Sequence, residues 1–143
     1  MTPISGIVLA ILGASAVALG AFGAHALRAT LSPMQLEIWR TAVQYHFWHT
    51  LAFALAATMQ RSREECGLGD RVLTFALRSS ASAFAARWAK WLFAVGVVLF
   101  CGSLYALALG LPPWVGAITP VGGVCFIVGW IALGIASMQR SKT

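Results

Sequence analysis

Apolar and polar positions divide the chain into four long hydrophobic runs separated by short polar or glycine- and proline-bearing breaks. The runs cover about residues 4–26, 41–59, 91–109 and 115–138. Each is long enough, at about 1.5 Å of rise per residue, to cross a hydrocarbon layer of roughly 30 Å. The pattern predicts an all-α integral membrane protein, with four transmembrane helices in one domain over residues 1–143. Ala24-His25-Ala26 imitates a small-x-small cleavage site. The first run outlasts a signal-peptide core, however, and no Lys or Arg precedes it, so it reads as a retained helix. Gly6, Gly13 and Gly20 recur every seven residues, with Gly23 close behind. Together they form a small-residue seam that lets helices approach closely in lipid. Gly102, Gly122 and Gly123 are the matching packing candidates on the third and fourth helices.

The breaks between runs have their own patterns. Ser32 before Pro33 is a helix start with proline at its first position. Met34 to Arg40, with Leu36, Ile38 and Trp39, predicts a short outer interfacial helix. The long connection over residues 60–90 contains the turn Cys66-Gly67-Leu68-Gly69-Asp70, with Asp70 as a cap for a helix beginning at Arg71. From there Val72, Leu73, Phe75, Leu77 and Phe84 alternate with Arg71, Arg78 and Arg87, which predicts a basic amphipathic helix on an anionic leaflet. Trp88 and Trp91 mark the entry to the third span. Gly110-Leu111-Pro112-Pro113-Trp114 is a tight uncharged turn.

Composition agrees with the membrane reading. The chain is 59% hydrophobic and 10% charged, against about 25% charged in a soluble domain. A net charge of +6 invites a nucleic-acid reading, which the placement of the charge argues against. Six of the ten Lys/Arg residues fall between Arg61 and Lys90, two more in the tail, and only Arg28 and Arg40 on the opposite side. The positive-inside rule then puts both termini in the cytoplasm. The expected partner is the lipid bilayer, with no nucleic acid.

The candidate chemistry collects at the mouth of the second run. Gln44, Tyr45, His46 and His49 sit there, and ionisable groups inside a span are functional candidates by default. Orientation brings His25, Ser103, Tyr105 and Thr119 to the same outer depth. His46 and His49 are three apart and Tyr45 and His49 four apart, so each pair shares a helix face. Imidazole suits transition metals and haem iron, and His25 and His49 are the metal candidates. There is, however, no HExxH and no carboxylate among the histidines, so no cofactor is expected. Neither a nucleophile elbow nor a phosphate loop is present, which argues against an enzyme. Cys66, Cys101 and Cys125 have no ligand spacing and read as small apolar fillers. The leading reading is a non-enzymatic structural, accessory or interaction component, acting as a homo-oligomer or within a larger membrane complex. The alternatives are small-solute or proton permeation by an oligomer, and a cofactor- or metal-binding subunit.

Several motifs resemble one family. They are Gly20-Ala21-Phe22-Gly23-Ala24-His25-Ala26-Leu27, Trp39 with Thr41, and Tyr45 with His49-Thr50-Leu51-Ala52 in the first half. Leu99-Phe100-Cys101-Gly102-Ser103-Leu104-Tyr105, Thr119-Pro120-Val121-Gly122-Gly123 and Gly129-Trp130 follow in the second. Over nearly the whole chain this is similar to the YgdD-like family of small inner-membrane proteins, a domain-of-unknown-function family with mitochondrial relatives. The resemblance implies four membrane helices, location in the bacterial cytoplasmic membrane and no established activity. The connection after the second helix is longer here than the family pattern. At His46 that pattern admits glutamine, so His25 and His49 are the histidines that match it.

Overall fold

The computed structural model describes the backbone of residues 2–66 and 74–138, and the side chains of residues 2–60 and 83–138. Within these the chain is helical, in the order α1 (Pro3–Ala24), α2 (Pro33–Cys66), α3 (Thr74–Gly96), α4 (Gly102–Ala108) and α5 (Thr119–Met138). α1 starts on a side-chain cap, where Ser5 N–H donates to Thr2 Oγ1, with Pro3 at the first position. α2 starts on a reciprocal box: Gln35 N–H donates to Ser32 Oγ and Ser32 N–H to Gln35 Oε1. Two orphan donors of the first turn are satisfied in this way.

α2 is one uninterrupted helix of 34 residues, about 51 Å long. The expected short outer helix over Met34–Arg40 is therefore not separate but the first two turns of α2. The reason is local. No glycine or proline falls between Met34 and Cys66, and an unbroken run of helix formers has no cause to bend. In the long connection, where an amphipathic helix from Arg71 was expected, α3 is helical from Thr74 and runs unbroken to Gly96. The turn and cap at Gly67–Arg71, and the side chains of the expected amphipathic stretch up to Ser82, lie outside the described residues.

α3 continues through a π-helical turn, Val97–Cys101, into α4. The C-terminus of α4 is closed by a Schellman motif. Gly110 has φ +86, Gly110 N–H donates to Leu107 O and Leu111 N–H to Ala106 O, and only glycine takes that conformation without strain. A 3₁₀ turn, Pro113–Ile118, leads into α5.

Among the described residues, three stretches are long and apolar enough to cross a membrane: Pro3–Ala29, Ala83–Ala108 and Pro113–Met138. α2 falls short of that hydropathy, because Gln44, His46 and His49 sit in its apolar half. It lies at the centre instead, with α1 on one flank and α3 and α4 on the other, while α5 packs on α3. The shared core is built from Ala52, Ala56, Ala57, Ala86, Ala89 and Ala136 around Phe53 and Phe93. Such small residues let backbones close in where no water drives association. Outward, Ile4, Ile7, Ile11 and Val17 of α1 and Val124, Ile127, Ile131 and Ile135 of α5 are exposed. An apolar girdle of that extent belongs in lipid.

Candidate functional site

α1 and α2 run antiparallel, and their contacts set the depth of every candidate. The Trp39 indole donates to Leu19 O at 3.0 Å and its ring covers Gly23, where an added Cβ would lie 2.6 Å from it. Further along, Gly20 faces Val43 and Ser15 faces His46. His25 is ten residues beyond Ser15, about 15 Å farther along the axis, and is exposed. It therefore does not join His46 and His49. Gln44 is likewise exposed, one position off the buried face. The three-imidazole arrangement does not form, and the described residues hold no group of three or more His, Cys, Asp or Glu able to share a metal.

His46 and His49 are buried, at 4% and 5% exposure. His49 Nδ1 lies 2.7 Å from Tyr45 O, an acceptor, so that nitrogen carries the proton. Trp130 Nε1–H, which can only donate, reaches His49 Nε2 at 3.3 Å, and both ring nitrogens are then used. The ring also stacks on Phe126, with centroids 3.5 Å apart and planes within 10°. His46 has the opposite arrangement. Ser15 Oγ gives its proton to Ile11 O at 2.7 Å, so His46 Nε2–H donates to Ser15 Oγ over 3.5 Å. Nδ1 then accepts from Tyr105 O–H at 3.3 Å. Tyr45 stacks on Phe100 at 4.8 Å, and Tyr105 lies against Trp39 at 4.7 Å. A second polar pair closes the α4–α5 corner: Ser103 donates to Phe100 O at 2.9 Å and accepts from Thr119 Oγ1–H at 2.7 Å.

The glycines divide in two. Gly23 and Gly122 are close approaches and Gly20 touches Val43, whereas Gly6, Gly13 and Gly102 face open space and Gly123 only brushes Phe100. Gly96 and Gly129, which meet Phe126 and Phe93, were not among the packing candidates.

The sequence reading also misses Ser15 and Lys90 as inward-facing groups, and Trp130, half exposed, as the donor to His49. Lys90 is 3% exposed; its ammonium donates to Ser5 Oγ at 2.8 Å and lies 5.5 Å from the centre of the Trp91 ring. Its spacing from Ala86, Phe93 and Val97 is that of a buried helix face, the one sequence signal that it points inward rather than marking a loop. Cys101 is buried, Cys125 half-buried, and both are free thiols.

An apolar girdle around buried, internally bonded histidines defines a small α-helical membrane protein. Residues 19–123 match the model of a family described as Protein of unknown function (DUF423), and the chain belongs to that family. It is 41% identical over 124 residues to a UPF0382 membrane protein of Staphylococcus epidermidis, covering 87% of this chain and 86% of the relative. It is 40% identical over 124 residues to the UPF0382 membrane protein YwdK of Bacillus subtilis, covering 87% of each. No solved structure matches.

Proposed function

We propose that the chain is a non-enzymatic component of the bacterial cytoplasmic membrane. In this reading it has four spans and cytoplasmic termini, and serves as a structural or accessory element for a second copy or a larger membrane complex. One observation carries this. Every ring nitrogen of His46 and His49 already has a partner, drawn from α1, α2, α4 and α5. Groups committed on all sides within their own fold hold helices in register, and they leave no lone pair or proton directed at a substrate. The same shielding supports α2 as the fourth span, since polar groups in a membrane helix are tolerated when they face the bundle interior. The Lys/Arg asymmetry supports the orientation.

Two results test the reading. Replacing His46 by alanine removes two hydrogen bonds of about 0.6 kcal/mol each and opens a cavity, for a loss of about 2 kcal/mol in all. His25→Ala, at an exposed site, leaves stability unchanged. Melting of the detergent-solubilised protein compares them, and equal melting of all three proteins ends the structural reading. For topology, a phosphatase fused after Thr143 should be inactive and a fluorescent protein there bright. A phosphatase inserted in the Gly110–Pro112 turn should be active. The reverse pattern overturns the orientation.

A further inference from the structure

Where α1 ends and α2 begins, the two helices leave a groove of 430 Å³, within the roughly 300–1,000 Å³ typical of ligand clefts. Gly20, Gly23 and Val43 line its floor, and Arg28, Arg40 and Gln44 its polar rim. These arginines are the only Lys or Arg in the first 60 residues, and both are exposed. Glu37, three residues before Arg40, is not among the groove's lining residues.

We propose that this groove binds one anionic phospholipid, its phosphate held by Arg28 and Arg40 with the Gln44 amide, and an acyl chain lying along the glycine floor. Charge complementarity identifies the headgroup. Two guanidiniums present planar forks that match phosphate oxygens in pairs. Position identifies the lipid as the source of that phosphate. The groove sits at the end of the apolar stretch Pro3–Ala29, where phosphates of a leaflet lie. On the same face of α1, one turn beyond Gly20, its flank continues into Val17, which is 62% exposed and forms an apolar path for a chain but not for a free anion. The glycines account for the space: side chains at Gly20 would meet Val43 at 3.4 Å and fill the trough. The site does not depend on which leaflet faces the cytoplasm.

The test uses the full chain in a neutral detergent, with native mass spectrometry to count bound lipid. The probes are phosphatidylglycerol, phosphatidylcholine with the same chains, and glycerol 3-phosphate. Lipid held at the arginine-rich opposite end is a background common to all variants, so the readout is the difference between proteins. The wild type should retain one more phosphatidylglycerol per chain than Arg28→Gln/Arg40→Gln, with at least a tenfold weaker apparent affinity in the variant and an unchanged melting temperature. Ala24→Leu, which crowds the groove from an exposed position, should lose that lipid too while keeping both charges. Equal retention by the wild type and the double variant, or equal retention of phosphatidylcholine at this site, would reduce it to annular lipid and overturn the proposal. Glycerol 3-phosphate binding as tightly as the lipid would overturn it as well, by making the site one for a soluble anion.

Discussion

Gly122→Ala should lower the stability of the folded protein by about 3 kcal/mol, the upper end of what overpacking costs. A Cβ at Gly122 would stand 2.4 Å from the Phe100 backbone nitrogen, 2.7 Å from its Cβ and 2.8 Å from its Cα. A flexible side chain yields cheaply to such an intrusion, but backbone does not. Phe100 lies within the π turn Val97–Cys101, and its ring is already held between Tyr45 and Phe126. The added methyl group must therefore push α5 away from α3, which opens the contact between Gly129 and Phe93 two turns along. Gly102→Ala is the matched control. Nothing lies within 4 Å of that position, so the substitution should be neutral or gain on the order of 0.5 kcal/mol from the lower backbone freedom of alanine. Melting followed by circular dichroism in detergent should separate the two variants by roughly ten degrees. If Gly122→Ala melts with Gly102→Ala, α3 and α5 do not meet at Phe100.

Why one glycine is critical and another idle was not legible in the sequence, and the reason is physical. Gly6, Gly13 and Gly20 make a regular seam along α1, but only the end of it, from Gly20 to Gly23, turns toward α2. A repeat shows that a face exists, not that a partner covers its full length. The membrane class and the helix start at Pro33 were legible because apolar length and capping chemistry act locally. The predicted break at Arg40 failed because interfacial side chains such as Leu36, Ile38 and Trp39 were taken as a separate surface helix, when no residue there interrupts α2. The polar cluster was half legible. Helical spacing placed His46 and His49 on neighbouring positions, and depth brought in Tyr105 and the Ser103–Thr119 pair. His25 shares their depth only if α1 and α2 are aligned end to end. The observed register, with Ser15 opposite His46, leaves it outside. That register is set by Trp39 seating on Gly23 and binding Leu19 O, a tertiary contact with no sequence periodicity. Lys90 was misplaced for a related reason, since a charge beside two tryptophans reads as an interface marker until its neighbours across the bundle are known.

His49→Ala should lower stability by about 3 kcal/mol, and His49→Phe by no more than about 1 kcal/mol; the gap between them separates packing from hydrogen bonding. The ring makes two hydrogen bonds, to Tyr45 O and from Trp130. Bonds of this kind average about 0.6 kcal/mol between membrane helices, so together they account for about 1 kcal/mol. The rest comes from a ring lying flat on Phe126 at 3.5 Å and edge-on to Trp130 at 6.3 Å. Truncating a buried ring to a methyl group costs about 3–5 kcal/mol through lost contacts and the cavity left behind. Phenylalanine fills that space and keeps the stack, leaving only the Trp130 N–H without its acceptor. Trp130→Phe on top of His49→Phe removes that orphaned donor as well, and should recover part of the loss. Melting of the four proteins measures the packing and hydrogen-bond shares directly. Should His49→Phe fall as far as His49→Ala, the bonds rather than the stack hold α5 to α2. Should neither variant lose stability while an assembly or activity of the wild type disappears, His49 acts on something outside its own fold, and the structural reading gives way to a functional one.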